Sequence, residues 1–274
     1  SDAEATADLL NDLLKRVQEL PTLTLEKITQ LKLNLPQQTA GVFDAELQRR
    51  RKLPQPLSEE LYVSHGIVLH KSRPITANSQ REKHKYPSTK KAKEKLYGDT
   101  LRLRPVQAKM MNSVYNNYTH DEPKNMIVEA GTGVGKTLGY LFPLSYVAYP
   151  DKKIVVSTAT NILQQQIIDT SIAQLNKVLP FKMNSVIIKG NAHYIDIARF
   201  VHSLSVIEDS KLVQLLKAKI LVWLLSTQSG DLDELNLNSQ QSPYFTEIRH
   251  QGIRSLNPAN AFYHDDFLVR REKR

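Results

Sequence analysis

The 274-residue chain has no cysteine, which excludes disulfides and thiolate-held metals and fits a reducing compartment. No charged-then-apolar leader opens it and no apolar run approaches the roughly 18 residues of a membrane-spanning helix, so the expectation is a cytoplasmic protein without a membrane partner. Acidic residues are the minority charge: 28 Asp and Glu stand against 37 Lys and Arg, for a formal net charge of +9 and a pI near 9.5. Such a balance favours a polyanionic partner, nucleic acid ahead of an anionic membrane. His193, His202, His250 and His264 do not stand at ligand spacing with carboxylates and are read as ordinary residues. The remaining composition, 41% hydrophobic and 24% charged, is globular and suits one large or two small domains. The chain opens on Ser1 and closes on the charged run 270–274, and is expected to be cut from something longer.

What is present centres on residues 125–137, N-M-I-V-E-A-G-T-G-V-G-K-T. Met126, Ile127 and Val128 are expected to form a short buried strand, and the residues from Leu138 onward a helix. Between them Gly131, Gly133 and Gly135 let the backbone turn tightly and aim N–H groups at an anion held at the positive end of that helix. Ala130, Thr132 and Val134 complete the cradle. Lys136 is placed to reach β and γ phosphates, and Thr137 to hold Mg²⁺ through its hydroxyl. The strict phosphate-loop pattern asks for Gly at the position of Ala130, where helicase-type loops accept either residue. Binding of ATP or GTP is the functional expectation; the alternative is a chance glycine-rich loop.

In chain order, residues 2–20 read as an amphipathic helix ended by Pro21. A second helix, capped by Thr24, is expected to run to Leu33, and a third, residues 39–52, to end in Arg49, Arg50, Arg51 and Lys52, where cations suit the dipole. Joined by prolines, these helices predict a linker region, followed by one strand at 61–70. Past the loop, residues 138–149 read as a helix bent by Pro143, 153–157 as a second buried strand, 161–177 as a helix and 186–188 as a third strand. The alternation predicts an α/β fold with a covered parallel sheet and a ligand at the carboxyl ends of its strands. Beyond Gly190 it is lost. Residues 207–227 read as a core helix, 230–241 as an acidic, Asn-rich loop, and 251–274 carry little periodicity.

Between residues 71 and 109, basic side chains including Arg73, Arg81, Lys90, Lys91, Lys93 and Lys95 meet only Glu82, Glu94 and Asp99. One reading is a phosphate-contacting stripe; the other is a solvated linker, since Tyr86 and Tyr97 are too few for a stacking platform. Gln107, in L-R-L-R-P-V-Q about twenty residues before the loop, has an amide that can both donate to and accept from adenine.

R-P-V-Q, E-A-G-T-G-V-G-K-T-L-G-Y-L-F-P and V-V-S-T-A-T-N-I-L-Q-Q-Q, in that order and spacing, resemble the opening motifs of superfamily 2 helicases, and among them the DinG branch related to XPD. The front, S-D-A-E-A-T-A-D-L-L, resembles the end of the last motif of DnaQ-type (DEDDh) exonucleases. Together they resemble firmicute DinG proteins, in which an exonuclease is fused to a helicase-like body, and this chain resembles a middle fragment. The resemblance implies a RecA-like ATP-binding domain at 99–189, preceded by an exonuclease tail helix at 1–20 and a linker at 21–98, and followed by a helical insertion at 190–274. It implies Gln107 for adenine, Gly131 to Thr137 for phosphates and Mg²⁺, and Thr158 for the backbone of single-stranded nucleic acid. Asp2 becomes the last of four carboxylates that hold two Mg²⁺ or Mn²⁺ ions in a 3′–5′ exonuclease.

Departures from the pattern matter as well. Cluster-bearing relatives place a Cys where this chain has Asp196, so an iron–sulfur cluster is excluded. No D-E-x-H box follows Thr137 and no late arginine motif occurs, so the chain alone is expected not to hydrolyse ATP. A DinG-like enzyme fragment is the favoured reading. A non-catalytic module binding ATP and nucleic acid is the second, and a P-loop kinase, in which the motif order and basic stretch have no role, the third. Oligomeric state is not legible.

Overall fold

The computed structural model describes residues 2–72, 82–122, 124–149, 151–207, 210–236, 243–252 and 257–272. Arg73 and Arg81 of the basic stretch, and residues 237–241 of the Asn-rich loop, lie outside them. The chain divides into two compact units, residues 1–75 with 190–274, and residues 76–189.

The first unit begins with α1 (Asp2–Glu19), whose Leu9, Leu10 and Leu13 remain exposed. Pro21 ends it and stands as N-cap of α2 (Thr22–Gln30), so Thr24 is not the expected cap but a buried residue inside that helix. In α3 (Gly41–Lys52) the closing arginines do more than complement the dipole. Arg49 and Arg50 both bind the buried Glu46 carboxylate at 2.7 Å. The Arg49 hydrogen bond leads in holding its pKa below the usual carboxylate range, against desolvation. Arg50 also donates to the Gln18 carbonyl, tying α3 to α1.

Residues 61–70 form a hairpin rather than one strand. β1 (Leu61–Ser64) pairs antiparallel with β2 (Ile67–His70), in the register Leu61 with His70 through Ser64 with Ile67. The turn residues His65 and Gly66 both have positive φ, 47° and 75°, the backbone that a two-residue turn needs to match strand twist. α2 and β2 share a core with α9 (Ile197–Ser205), α10 (Lys211–Trp223), α11 (Pro243–Ile248) and α12 (Phe267–Glu272). Leu25, Ile28 and Leu69 are buried in the first part of the chain, and Ile195, Phe200, Ile220 and Phe245 in the last. The segment expected to be a linker thus contributes Ile28, Ile67 and Leu69 to a core.

The second unit contains α4 (Lys90–Tyr97), α5 (Pro105–Thr119), α6 (Lys136–Val147), α7 (Asn161–Gln166) and α8 (Ala173–Val178), the last two joined by a π-helical segment, Ile167–Ile172. Their core is aromatic. Phe142 meets Tyr97 edge-on at 5.5 Å, and Tyr86 stacks on Tyr115 at 3.9 Å. Tyr86 and Tyr97 are therefore core residues, held by burial rather than offered to bases. α6 continues across Pro143 to Val147.

The three apolar segments expected as strands do not pair. Among the described residues the one sheet is β1–β2, and Ile127 and Val155 are 99% and 90% exposed. A parallel strand needs a neighbour on its hydrogen-bonding edge and cover on its faces; among the described residues the segments at 126–128, 153–157 and 186–188 have no ladder with one another.

Candidate nucleotide-binding loop

Two helices position the loop. α6 starts at Lys136, immediately after Gly135, which caps it in the left-handed region at φ 80°. α5 brings Gln107, 4% exposed, against the same point, where its Nε2 donates to the Gly135 carbonyl at 2.9 Å. A Cβ at position 135 would lie 2.2 Å from that Nε2, so both backbone angle and space require glycine here. Four residues on, Gly139 allows α5 to approach, because a Cβ there would meet Met110 Sδ at 2.7 Å. Gln107 is half used. Its Oε1 is buried without a hydrogen-bond partner among the described residues.

Lys136 is exposed and its ammonium folds over the loop, donating to the carbonyls of Ala130 at 2.9 Å and Gly131 at 3.2 Å. Gly131, Thr132 and Gly133 are exposed, Val134 and Thr137 half-buried. Burial raises the pKa of Tyr140, and a hydrogen bond with the Thr137 hydroxyl works against that shift. A loop of open backbone, an exposed ammonium and a hydroxyl at the start of a 12-residue helix has the donors that a polyphosphate needs.

The four lysines proposed from the sequence separate. Lys90, Lys91 and Lys95 are exposed on α4, with Lys90 3.6 Å from Glu94. Lys93 turns inward, which removes it from the phosphate-contacting set. It is 0% exposed, and its Nζ donates to Pro87 O and Asn112 Oδ1 at 2.6 Å and to Ser88 O at 3.0 Å. Burial pulls its pKa down to about 8. Lys93 shares a helix face with Leu96 and Tyr97 at i+3 and i+4, the one local spacing that points inward. Replacing Lys90, Lys91 and Lys95 with Gln should reduce the salt slope of single-stranded DNA binding by about 2, whereas Lys93→Gln should not. An unchanged slope in the triple variant would return α4 to the role of a solvated helix.

Asp2 sits in the exposed first turn of α1, its carbonyl accepting from Thr6 Oγ1 at 2.8 Å. Thr158 Oγ1 donates to the Thr160 carbonyl at 3.0 Å, and Thr160 caps α7. Two of the histidines read as ordinary do meet carboxylates. His250 Nε2 lies 2.9 Å from Asp266 in a buried pair, and His193 Nδ1 lies 3.1 Å from Asp233. His202 and His264 are exposed.

A glycine loop thus opens α6, and the glutamine-bearing α5 is locked onto it by the Gln107–Gly135 hydrogen bond. Residues 104–237 match the DEAD/DEAH box helicase family, which implies a RecA-like α/β fold for that region. Over 244 residues the chain is 29% identical to the 3'-5' exonuclease DinG of Bacillus subtilis (strain 168), covering 87% of this chain and 26% of that protein. Over 275 residues it is 30% identical to the 3'-5' exonuclease DinG of Staphylococcus aureus (strain USA300), covering 98% and 29%. The likeness is that of a DinG-family fragment, and the chain spans less than a third of the length of these curated relatives. No solved structure matches.

Proposed function

We propose that this chain is part of a DinG-like 3′–5′ exonuclease with an ATP-binding, helicase-like body that acts on single-stranded nucleic acid in the cytoplasm. The observation that carries the reading is the Gln107–Gly135–Lys136 arrangement: a buried amide with an unused acceptor beside a glycine cradle and an exposed ammonium. Oε1 of Gln107 would accept from the amino group of adenine. Lys136 would leave its loop carbonyls for phosphate oxygens, and Thr137 would hold Mg²⁺, which neutralises phosphate charge. Lys90, Lys91, Lys95 and Thr158 would contact the strand's backbone. With no cysteine in the chain, an iron–sulfur cluster has no ligands here.

Asp2 would be the last carboxylate of the two-metal nuclease centre, at the start of a tail helix. In the full-length protein, Asp2→Ala should stop Mg²⁺- or Mn²⁺-dependent digestion of single strands from the 3′ end while leaving ATP binding intact. Digestion at the normal rate would remove Asp2 from the centre and with it the nuclease reading of the front of the chain.

A further inference from the structure

The loop after α8 and the short helix after α10 bring together side chains that are far apart in sequence. His193, Asp231 and Asp233 each direct one ligand atom into a group whose members all lie within 4.8 Å of one another. We infer that these three residues bind one divalent transition-metal ion through an imidazole nitrogen and two carboxylate oxygens.

The backbone fixes the group before any ion arrives. Ile195 N donates to Gly230 O at 3.0 Å, Tyr194 and Asp231 form an antiparallel bridge, and His250 N donates to Tyr194 O at 3.0 Å. These bonds hold the His193 segment beside the turn that carries both aspartates. Asp231 is buried, and one of its oxygens accepts from Asp233 N at 3.0 Å, which caps the 3-10 helix Leu232–Leu235. Its position is therefore set by the fold rather than by solvent. His193 Nδ1 and Asp233 Oδ2 are 3.1 Å apart, close to the separation of adjacent donors around an ion with bonds of about 2.1 Å.

Donor chemistry selects the ion. Two carboxylates balance a dication, and the imidazole adds a nitrogen that prefers Zn²⁺, Mn²⁺ or Fe²⁺ to Mg²⁺ or Ca²⁺. No sulfur donor is present to favour Cu(I). Three protein ligands leave further positions to water. Nδ1 binds as the unprotonated nitrogen of a neutral imidazole whose proton sits on Nε2.

Trp223, the single tryptophan of the chain, provides a reporter. Its Nε1 donates to Glu234 Oε2 at 3.0 Å, and Glu234 follows Asp233 in the same 3-10 helix. Zn²⁺ titrated into the nucleotide-free 274-residue chain should change Trp223 emission with one-site saturation, and calorimetry should show a stoichiometry of one ion per chain. His193→Gln and Asp231→Asn should each weaken Zn²⁺ by about tenfold or more; the second keeps an oxygen for the cap, and thermal melts establish that both remain folded. Zn K-edge absorption of the unsubstituted chain should show one imidazole with otherwise oxygen donors, a readout needing no substitution. Absence of saturation up to about 1 mM, unchanged affinity in both variants, or a coordination shell with no imidazole or with two overturns the assignment.

Discussion

Lys136→Ala is expected to take Mg·ATP binding by the 274-residue chain below detection in a calorimetric titration. In the nucleotide-free loop the ammonium rests on two neutral carbonyls, those of Ala130 and Gly131. Phosphate oxygens are better acceptors because they are charged, and each charge-assisted hydrogen bond contributes about 1.5–3 kcal/mol. Loss of roughly 3 kcal/mol is about a hundredfold in affinity. The side chain is exposed and contributes nothing to the aromatic core around Phe142, so circular dichroism and melting should be nearly unchanged. Full retention of affinity would place the nucleotide elsewhere.

Arg270→Ala should produce the largest loss of stability, about 3 kcal/mol, measured by urea unfolding of the chain. Its guanidinium is buried. It donates to His70 O at 3.1 Å and to the Tyr62 hydroxyl, lies 3.7 Å from Asp265 Oδ1, and covers the rings of Tyr62 and Phe267 at 5.5 and 5.0 Å. Removing it leaves the buried Asp265 without its cation. Tyr62 and Ser64 still donate to that carboxylate, which keeps the cost at the lower end of the range for a broken buried pair. Burial foremost, then the Asp265 hydrogen bond, push the Tyr62 pKa up, so its phenol keeps the proton it donates. Arg270→Ala combined with Asp265→Ala should cost less than the sum of the two single changes. Strict additivity would mean that the arginine acts through packing alone.

The helices were legible because apolar spacing is local. The apolar run in α10 announces itself within a few residues, and the glycine loop does so through its lysine and threonine. Features that depend on distant partners were not legible. The hairpin at residues 61–70 alternates like one strand, and only the positive φ of His65 and Gly66 reveals the reversal. Residues 126–128 and 153–157 have strand-like composition, yet composition does not supply neighbours to pair with. Lys93 carries the charge of a phosphate contact and is instead satisfied by three oxygens inside the unit. His193 meets Asp233 only because a bridge between residues 194 and 231 brings the two segments together.

The interleaving of the two units has a consequence for biosynthesis. Ile28 and Leu69 belong to the same core as Ile220, Phe245 and Phe267, so the unit that starts first is the one that finishes last. Residues 76–189 leave the ribosome as a contiguous piece and can fold on their own contacts, while the apolar faces of α2 and β2 wait for more than a hundred further residues. Closing so long a loop slows folding and leaves apolar surface open in the interval. During translation, order therefore spreads from the middle of the chain outward, and the glycine loop can be assembled while the core around β2 is still incomplete.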